Sequence, residues 1–172
     1  QLRSVQSPWI HSETIPYHNL DEFFALSDSS ETDWEHTVSW IDCMNGANAK
    51  GLFARGNLSS EQTQVEPKIK DKTFPITPPI SLVNKLSLPI FNFAYFHGNS
   101  LKKQPQKVHY EPFFYPLDAM HEWNKMYGPK GFYQYQSVVP KEIGKEVTQE
   151  MLNAIKKSGE GSFLAVLKTF GD

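Results

Sequence analysis

Apolar residues recur along this chain with two periods, the period of two that is typical of strands and the period of 3.6 that is typical of helices. The order of these patterns constrains the fold more than any single motif does. Residues 36–43 (HTVSWIDC) alternate with a period of two, which predicts a strand that carries Val38 and Trp40 on one face. Residues 51–55 (GLFAR) predict a second strand. Further on, strand patterns alternate with helical patterns: strands at 107–116, 131–140 and 162–170, helices at 117–128 and 141–159. The sequence therefore predicts an α+β fold, in which helices cover one face of a largely antiparallel sheet.

The first helical pattern and the long polar segment after the first strands are simple to interpret. Residues 19–30 have apolar side chains at helical spacing, with Asn19 as a candidate N-cap and Glu22 three positions later. Residues 60–79 are polar, contain lysine and are interrupted by proline, so we expect a long surface loop with little order of its own.

The later helical patterns differ in how well their ends are marked. Residues 81–98 contain Pro89, which lacks a backbone donor, so we expect a kinked or two-part helix that ends near Gly98. The helix predicted at 117–128 turns three side chains inward: Met120, Trp123 and Tyr127. The helix predicted at 141–159 has an apolar stripe and a glycine C-cap: Val147, Met151, Leu152 and Ile155, then Gly159.

Composition and charge argue against nucleic-acid binding, disulfide-stabilised folds and membrane-spanning segments. The 172 residues carry a formal net charge of -2 from mixed acidic and basic side chains, which gives no overall basic field for nucleic acid or anionic lipid. The single cysteine, Cys43, cannot form an internal disulfide, which fits a reducing compartment. No apolar run approaches the roughly 20 residues that span a bilayer. We therefore expect a soluble, cytoplasmic protein.

Length and termini bear on domain organisation. A chain of 172 residues suits one hydrophobic core, so residues 1–172 are expected to form a single domain. The chain begins without an initiator methionine and stops directly after a strand pattern, FLAVLKTFGD. We expect it to be a piece of a longer protein.

Common catalytic motifs are missing from the sequence. The six histidines are scattered without an H-x-x-x-H pair or a cysteine partner, so no metal site is predicted. There is no G-x-S-x-G nucleophile elbow, no G-x-G-x-x-G and no P-loop. Hydrolysis and nucleotide phosphate binding therefore have no support.

Polar residues on two predicted strands are the strongest candidates for ligand binding. Gln134 and Gln136 share one face of the strand predicted at 131–140. An unpaired buried amide group costs about 1 to 3 kcal/mol, so such a pair is either solvated or bound to a polar ligand such as a sugar. In 162–170, Lys168 lies on one face between apolar side chains: Leu164, Val166 and Phe170. If both strands belong to one sheet, these polar groups meet over one pocket; the alternative is a solvated strand face and a snorkelling lysine.

Two long motifs resemble a known family. They are the W-N-x-x-Y-G-x-x-G-F-x-Q-Y-Q run at 123–136 and the S-F-L-x-V-x-K-x-F-G run at 162–171. With residues 7–27 and 36–43, they resemble the substrate-binding (cap) domain of FAD-linked oxidases of the vanillyl-alcohol oxidase superfamily. Within it they are most similar to the branch of the decaprenylphosphoryl-ribose 2-oxidases and aldonolactone oxidases. The resemblance covers most of the chain except the region around residues 60–79.

The resemblance implies an oxidoreductase that removes a hydride from a hydroxyl-bearing carbon of a sugar, polyol or aldonolactone and passes it to FAD. It implies that the cap-domain sheet forms a roof over the flavin. A tyrosine of the decaprenylphosphoryl-ribose enzyme is replaced here by phenylalanine, which removes a hydroxyl from the site. The substrate-binding residues implied are Gln134, Gln136, Leu164, Val166, Lys168, Phe170, Trp40 and, at the position of that tyrosine, Phe114.

The resemblance also implies what the chain lacks. In this family the FAD-binding domain, with its phosphate-binding loop and active-site residues, comes from segments outside the cap. We therefore expect no catalytic residue in this chain, weak or no FAD binding by the chain alone, and no turnover. The expected partners are a sugar-like small molecule and the missing FAD-binding domain. Surfaces that this domain would cover are expected to favour homodimerisation of the isolated chain.

Two other functions stay open on the sequence alone. The chain could be a stand-alone carbohydrate-binding module that uses its aromatic rings and amides without chemistry. It could also be an interaction domain in which Gln134, Gln136 and Lys168 are solvated. Side chains spread over an open convex surface would favour the interaction domain.

Overall fold

A computed structural model describes residues 4–61, 72–102, 104–117 and 120–170. Its strands are β1 (Trp9–Tyr17), β2 (His36–Ile41), β3 (Gly51–Leu58), β4 (Lys72–Thr73), β5 (Gln106–His109), β6 (Met120–His121) and β7 (Val166–Leu167). Its α-helices are α1 (Leu20–Ser30), α2 (Ser87–Ser100), α3 (Tyr110–Phe114) and α4 (Gly144–Ser158).

Five of the strands form one sheet in the order β5-β1-β3-β2-β7, and every neighbouring pair is antiparallel. The short β4 and β6 form a separate parallel pair. The α+β fold with a largely antiparallel sheet is therefore confirmed.

One face of the sheet, called here the α4 face, packs against α1 and α4. Tyr17, Phe23 and Phe53 form one buried cluster at its centre, and Leu167 of the edge strand packs against it. A second cluster joins the sheet to both helices: Leu20, Ile41, Cys43, Ala49 and Leu152. The buried Tyr17 hydroxyl lies 2.8 Å from the Ser39 hydroxyl, which gives each group a hydrogen-bond partner inside this core.

The opposite face, called here the α2 face, is covered only at its ends in the described part of the chain. Phe96 of α2 packs on Trp40 and Leu52 at one end. At the other end Phe113 of α3 lies so close to Gly56 that a Cβ there would sit 3.0 Å from the Phe113 ring. Between these ends the side chains are half-buried: Thr14, Val38 and Ala54.

The predicted ends of two helices are confirmed. Asn19 Oδ1 accepts a hydrogen bond from the Glu22 amide at 2.9 Å, and Glu22 in turn accepts one from the His18 amide at 2.7 Å. Gly159 closes α4 in the left-handed conformation, with φ at 70°. Both helix ends could be predicted because Asn19, Glu22 and Gly159 allow hydrogen bonds to backbone groups that have no partner inside the helix.

The prediction of a kink at Pro89 is wrong. The helix α2 begins at Ser87, so Pro89 lies in its first turn, where the backbone N–H groups have no intrahelical acceptor. Gly98 does not end the helix, which continues to Ser100. One side of α2 is anchored by a buried hydrogen bond of 2.7 Å from the Asn92 amide to the Asp42 carboxylate.

Three predicted elements between residues 107 and 140 also differ. The strand predicted at 107–116 ends at His109 and continues as α3. The helix predicted at 117–128 is replaced by β6 and a 3-10 helix at Trp123–Tyr127, because Glu122 at φ 58° interrupts the right-handed path; residues 118 and 119 lie outside the described ranges. Residues 131–140 form no strand, since they have no place in either sheet.

The loop predicted at 60–79 falls largely on residues 62–71, which lie outside the described ranges. Its last part contributes β4, which pairs with β6. Within the described ranges, none of the helices is long and apolar enough to cross a lipid bilayer.

Candidate functional site

The segment 162–170 has the alternation that its sequence predicts. Leu167 packs into the clusters beneath α1 and α4, and Phe163 is buried. Four side chains of opposite parity are exposed: Leu164, Val166, Lys168 and Phe170. One lysine and three apolar groups therefore lie together on one side of an extended backbone.

Three contacts hold this segment in place, although only Val166 and Leu167 belong to β7. The Trp40 indole N–H donates to the Phe163 carbonyl at 2.9 Å, and the Ile41 amide donates to the Ala165 carbonyl at 3.0 Å. Farther along, the hydroxyls of Ser27 and Thr169 lie 2.5 Å apart. Because α1 and β2 supply these groups, the core of the fold fixes the exposed side chains.

A thiol near the start of the segment has a structural role. Cys43 Sγ contacts both the carbonyl oxygen and the amide nitrogen of Ser162 at 3.4 Å. Burial raises the pKa of this thiol, with a smaller contribution from the Asp42 carboxylate in the same direction. A buried thiol that is kept protonated is a poor nucleophile, so Cys43 is not a catalytic candidate.

The exposed side chains of 162–170 belong to the α2 face. Val166 lies directly opposite Trp40 in the antiparallel register, and directly opposite residues point to the same side of a sheet. His36 follows the same parity on β2, and the Phe114 ring lies edge-on to it at 4.9 Å. The structure thus brings Trp40, Val166 and Phe114 to one face of the sheet.

Trp40 is almost fully buried and serves as a wall rather than as an open platform. Its ring centroid lies 4.9 Å from that of Tyr95 on α2, and its N–H is already used by Phe163. An indole whose only donor is satisfied has none left for a ligand. Trp40 therefore acts on the site by positioning segment 162–170.

The two glutamines are not joined to this face by a strand ladder. Gln134 and Gln136 are exposed in an irregular segment that starts at the Phe132 ring, which packs on Tyr127 at 4.6 Å. Farther along, the Ser137 hydroxyl reaches Met151 of α4 at 3.7 Å. Meeting of the amides and Lys168 over one pocket stays a prediction.

An aromatic cluster beside the segment was missed by the sequence reasoning. Its rings form a connected series from α2 to residue 132, in which each ring contacts at least one other: Tyr95, Phe91, Phe163, Trp123, Tyr127 and Phe132. Burial raises the pKa of Tyr95 and of Tyr127. The i, i+4 spacing of Phe91 and Tyr95 in a helical pattern was the available signal, but it does not reveal that Phe163 lies between them and Tyr127.

No cluster of three or more potential metal ligands occurs among the residues that the structure describes. The arrangement is chemically simple: an ammonium group among apolar and aromatic side chains, in a segment at the edge of an antiparallel sheet. It suits a flat or cyclic molecule that carries hydrogen-bond acceptors, because the apolar groups exclude water while the lysine supplies up to three donors.

Comparison with known proteins agrees with the resemblance seen in the motifs. The chain is 33% identical over 166 residues to the decaprenylphosphoryl-beta-D-ribose oxidase of Mycolicibacterium smegmatis (strain ATCC 700084 / mc(2)155). The match covers 89% of this chain and 35% of the oxidase, so the chain spans about a third of the length of this curated relative. No family model matches the chain. The resemblance to the FAD-linked oxidase branch is thereby confirmed.

Proposed function

We propose, from the premise that this chain is a homologue of an oxidase, that it forms the substrate-binding part of an FAD-dependent oxidoreductase. Its substrate would be a sugar, polyol or aldonolactone, oxidised at a hydroxyl-bearing carbon. The observation that carries the proposal is the exposure of Lys168 among apolar side chains on the α2 face, in a segment that matches the family motif.

The residues of this chain fit a role beside a flavin. A planar ring system needs a flat apolar surface, and Val166, Leu164 and Phe170 supply exposed apolar groups on one side of one segment. FAD, when bound, would accept the hydride that leaves the substrate carbon. The chain itself contributes binding and orientation, because segment 162–170 presents the Lys168 donor and an exposed apolar surface.

Each site residue has a distinct task in this proposal. The Lys168 ammonium donates hydrogen bonds to hydroxyl or other oxygen atoms of the substrate and so fixes which carbon faces the flavin. Gln134 and Gln136 hold further hydroxyls through their amides. Phe114 shapes the edge of the site beside His36, without the hydroxyl that a tyrosine would add. The side chains of Val166 and Phe170 exclude water from the reacting carbon.

The test uses the protein expressed from its intact gene. Purified protein should show the absorbance bands of bound oxidised flavin, and a panel of sugars, polyols and aldonolactones should bleach them under anaerobic conditions. The bleaching substrate loses a hydride and a proton and is recovered as the carbonyl compound. Colourless protein that cannot be reconstituted with FAD would refute the cofactor. Flavin that no hydroxyl compound reduces would refute the substrate class.

A further inference from the structure

Helix α2 has a second apolar surface that faces solvent. Four side chains form it, with exposed fractions of 82% for Leu86, 72% for Ile90, 61% for Phe93 and 84% for Leu101. With His97 they recur at intervals of three or four residues, so they lie along one line on the helix. This line is called here the α2 stripe.

The α2 stripe lies opposite the side of the helix that packs on the sheet. Leu88, Asn92 and Phe96 are buried and have the same spacing, displaced by half a turn. A helix on the surface of a soluble protein normally presents charged or polar side chains outward. In the line from Leu86 to Leu101, His97 is the polar member, and the Lys50 ammonium lies 5.8 Å from the centroid of the Phe93 ring. Large apolar side chains are thus exposed to water along this line.

Charge is unevenly distributed along the part of the sequence that contains α2, in contrast to the balanced net charge of the chain. Residues 72–110 contain five lysines and no aspartate or glutamate: Lys72, Lys85, Lys102, Lys103 and Lys107. Lys85 and Lys102 are exposed and stand just before and just after α2. The charge of Lys107 is balanced by its ion pair with Glu61.

These charges distinguish between occupants of the stripe. A second copy that packed its own stripe antiparallel would set Lys85 of one chain against Lys102 of the other, which is unfavourable. An anionic surface would instead attract both lysines while the apolar side chains leave water. Amphipathic helices that lie in a membrane interface have this combination of a large apolar face and flanking lysines.

We propose that α2 docks the protein on an anionic lipid bilayer, with Leu86, Ile90, Phe93 and Leu101 in the acyl boundary and Lys85 and Lys102 at the headgroups. The helix has 14 residues, so it is about 21 Å long and lies in the membrane plane. Binding then depends on both apolar burial and charge. The proposal is independent of the oxidase function.

The experiment is vesicle sedimentation with the protein expressed from its intact gene. Vesicles of phosphatidylcholine with one quarter phosphatidylglycerol should bind it, vesicles of phosphatidylcholine alone should bind it much less, and added salt should weaken the binding. The double variant Ile90→Ser/Phe93→Ser should lower the partition coefficient at least about tenfold. The double variant Lys85→Gln/Lys102→Gln should lower it roughly 30-fold on anionic vesicles at low salt, with little change on neutral ones.

A matched control separates the stripe from general stickiness. Ile143 is also an exposed isoleucine but precedes α4 on the other side of the sheet, so Ile143→Ser should leave vesicle binding unchanged. Because all substituted side chains are exposed, circular dichroism should show a native fold in each variant. Equal binding by Ile90→Ser/Phe93→Ser and the unsubstituted protein would overturn the proposal.

Other occupants predict different results. A doubled mass in light scattering that Ile90→Ser/Phe93→Ser abolishes, without vesicle binding, would assign the stripe to a second copy. Protection of Ile90 and Phe93 from hydroxyl-radical labelling in the vesicle-free monomer would assign it to a contact inside the full-length protein. Either outcome would overturn lipid docking.

Discussion

Leu167 and Lys168 are neighbours in sequence, but their side chains point to opposite faces of the sheet. Leu167 packs beneath α1 and α4, whereas Lys168 is exposed on the α2 face. This division follows from strand geometry, so the alternation of 162–170 could be predicted from the sequence alone. The hydrogen bond from Trp40 to the Phe163 carbonyl could not, because nothing in the two residue types indicates that they meet.

Replacing Lys168 should reduce activity and leave stability intact. Under the proposed function, Lys168→Ala in the full-length protein should lower kcat/KM by an amount equivalent to about 1 to 3 kcal/mol of transition-state binding, because hydrogen bonds to the substrate are lost. Gln136→Ala should act in the same direction. Lys157→Ala on α4 is the matched control, since Lys157 is an exposed lysine outside the site. Steady-state kinetics with wild-type values for Lys168→Ala would remove this residue from the site.

Replacing Trp40 should mainly affect stability. Trp40→Phe keeps an aromatic ring but leaves the buried Phe163 carbonyl without its donor, so the free energy of unfolding should fall by about 1 to 3 kcal/mol. Urea denaturation measures the change. Tyr135→Phe removes a polar group from an exposed ring and should change the free energy of unfolding very little. Equal stability of both variants would show that the indole contact does not hold segment 162–170.

At the scale of elements, the sequence predicts structure well where the interactions are local in the chain, and less well where an element depends on a distant segment. The ends of α1 and α4 were predictable because Asn19, Glu22 and Gly159 act on backbone groups within a few residues of themselves. Residues 131–140 have a strand-like sequence, but a strand also requires a partner with free backbone groups, and this is decided elsewhere in the chain. For the same reason, the sequence of residues 131–140 alone does not predict where Gln134 and Gln136 lie relative to Lys168.

Two glycines on helices predict opposite effects of the same substitution. Gly159→Ala should lower the free energy of unfolding by about 1 to 2 kcal/mol, because its φ of 70° is strained for alanine and the new Cβ would lie 2.8 Å from Lys85 Cε. Gly98→Ala should raise it by about 0.5 to 1 kcal/mol, because Gly98 is inside α2 and its Cβ would meet nothing within 4 Å. Thermal or urea denaturation of the pair should give shifts of opposite sign. Shifts of the same sign would contradict the assigned geometry.

At the scale of the whole molecule, burial of weak acids predicts a loss of stability in alkali. Burial raises the pKa values of Cys43, Tyr17, Tyr95 and Tyr127, so the folded chain retains protons that the unfolded chain releases. The stability from these groups is complete below their unfolded pKa values and declines as pH rises above about 8.5 to 10. Urea denaturation at pH 7.5, 9 and 10.5 should give a falling free energy of unfolding. Tyr95→Phe should reduce the slope, and a flat profile would contradict the buried positions.

The alternation of segment 162–170 has a consequence for how such a protein can change its specificity. Residues 163, 165, 167 and 169 secure the scaffold, while residues 164, 166, 168 and 170 are exposed and would meet the ligand in the proposed function, so the two sets can vary separately. A combinatorial library restricted to the second set should yield many soluble proteins with altered preferences. Diversity introduced in the first set should instead appear mostly as loss of soluble expression.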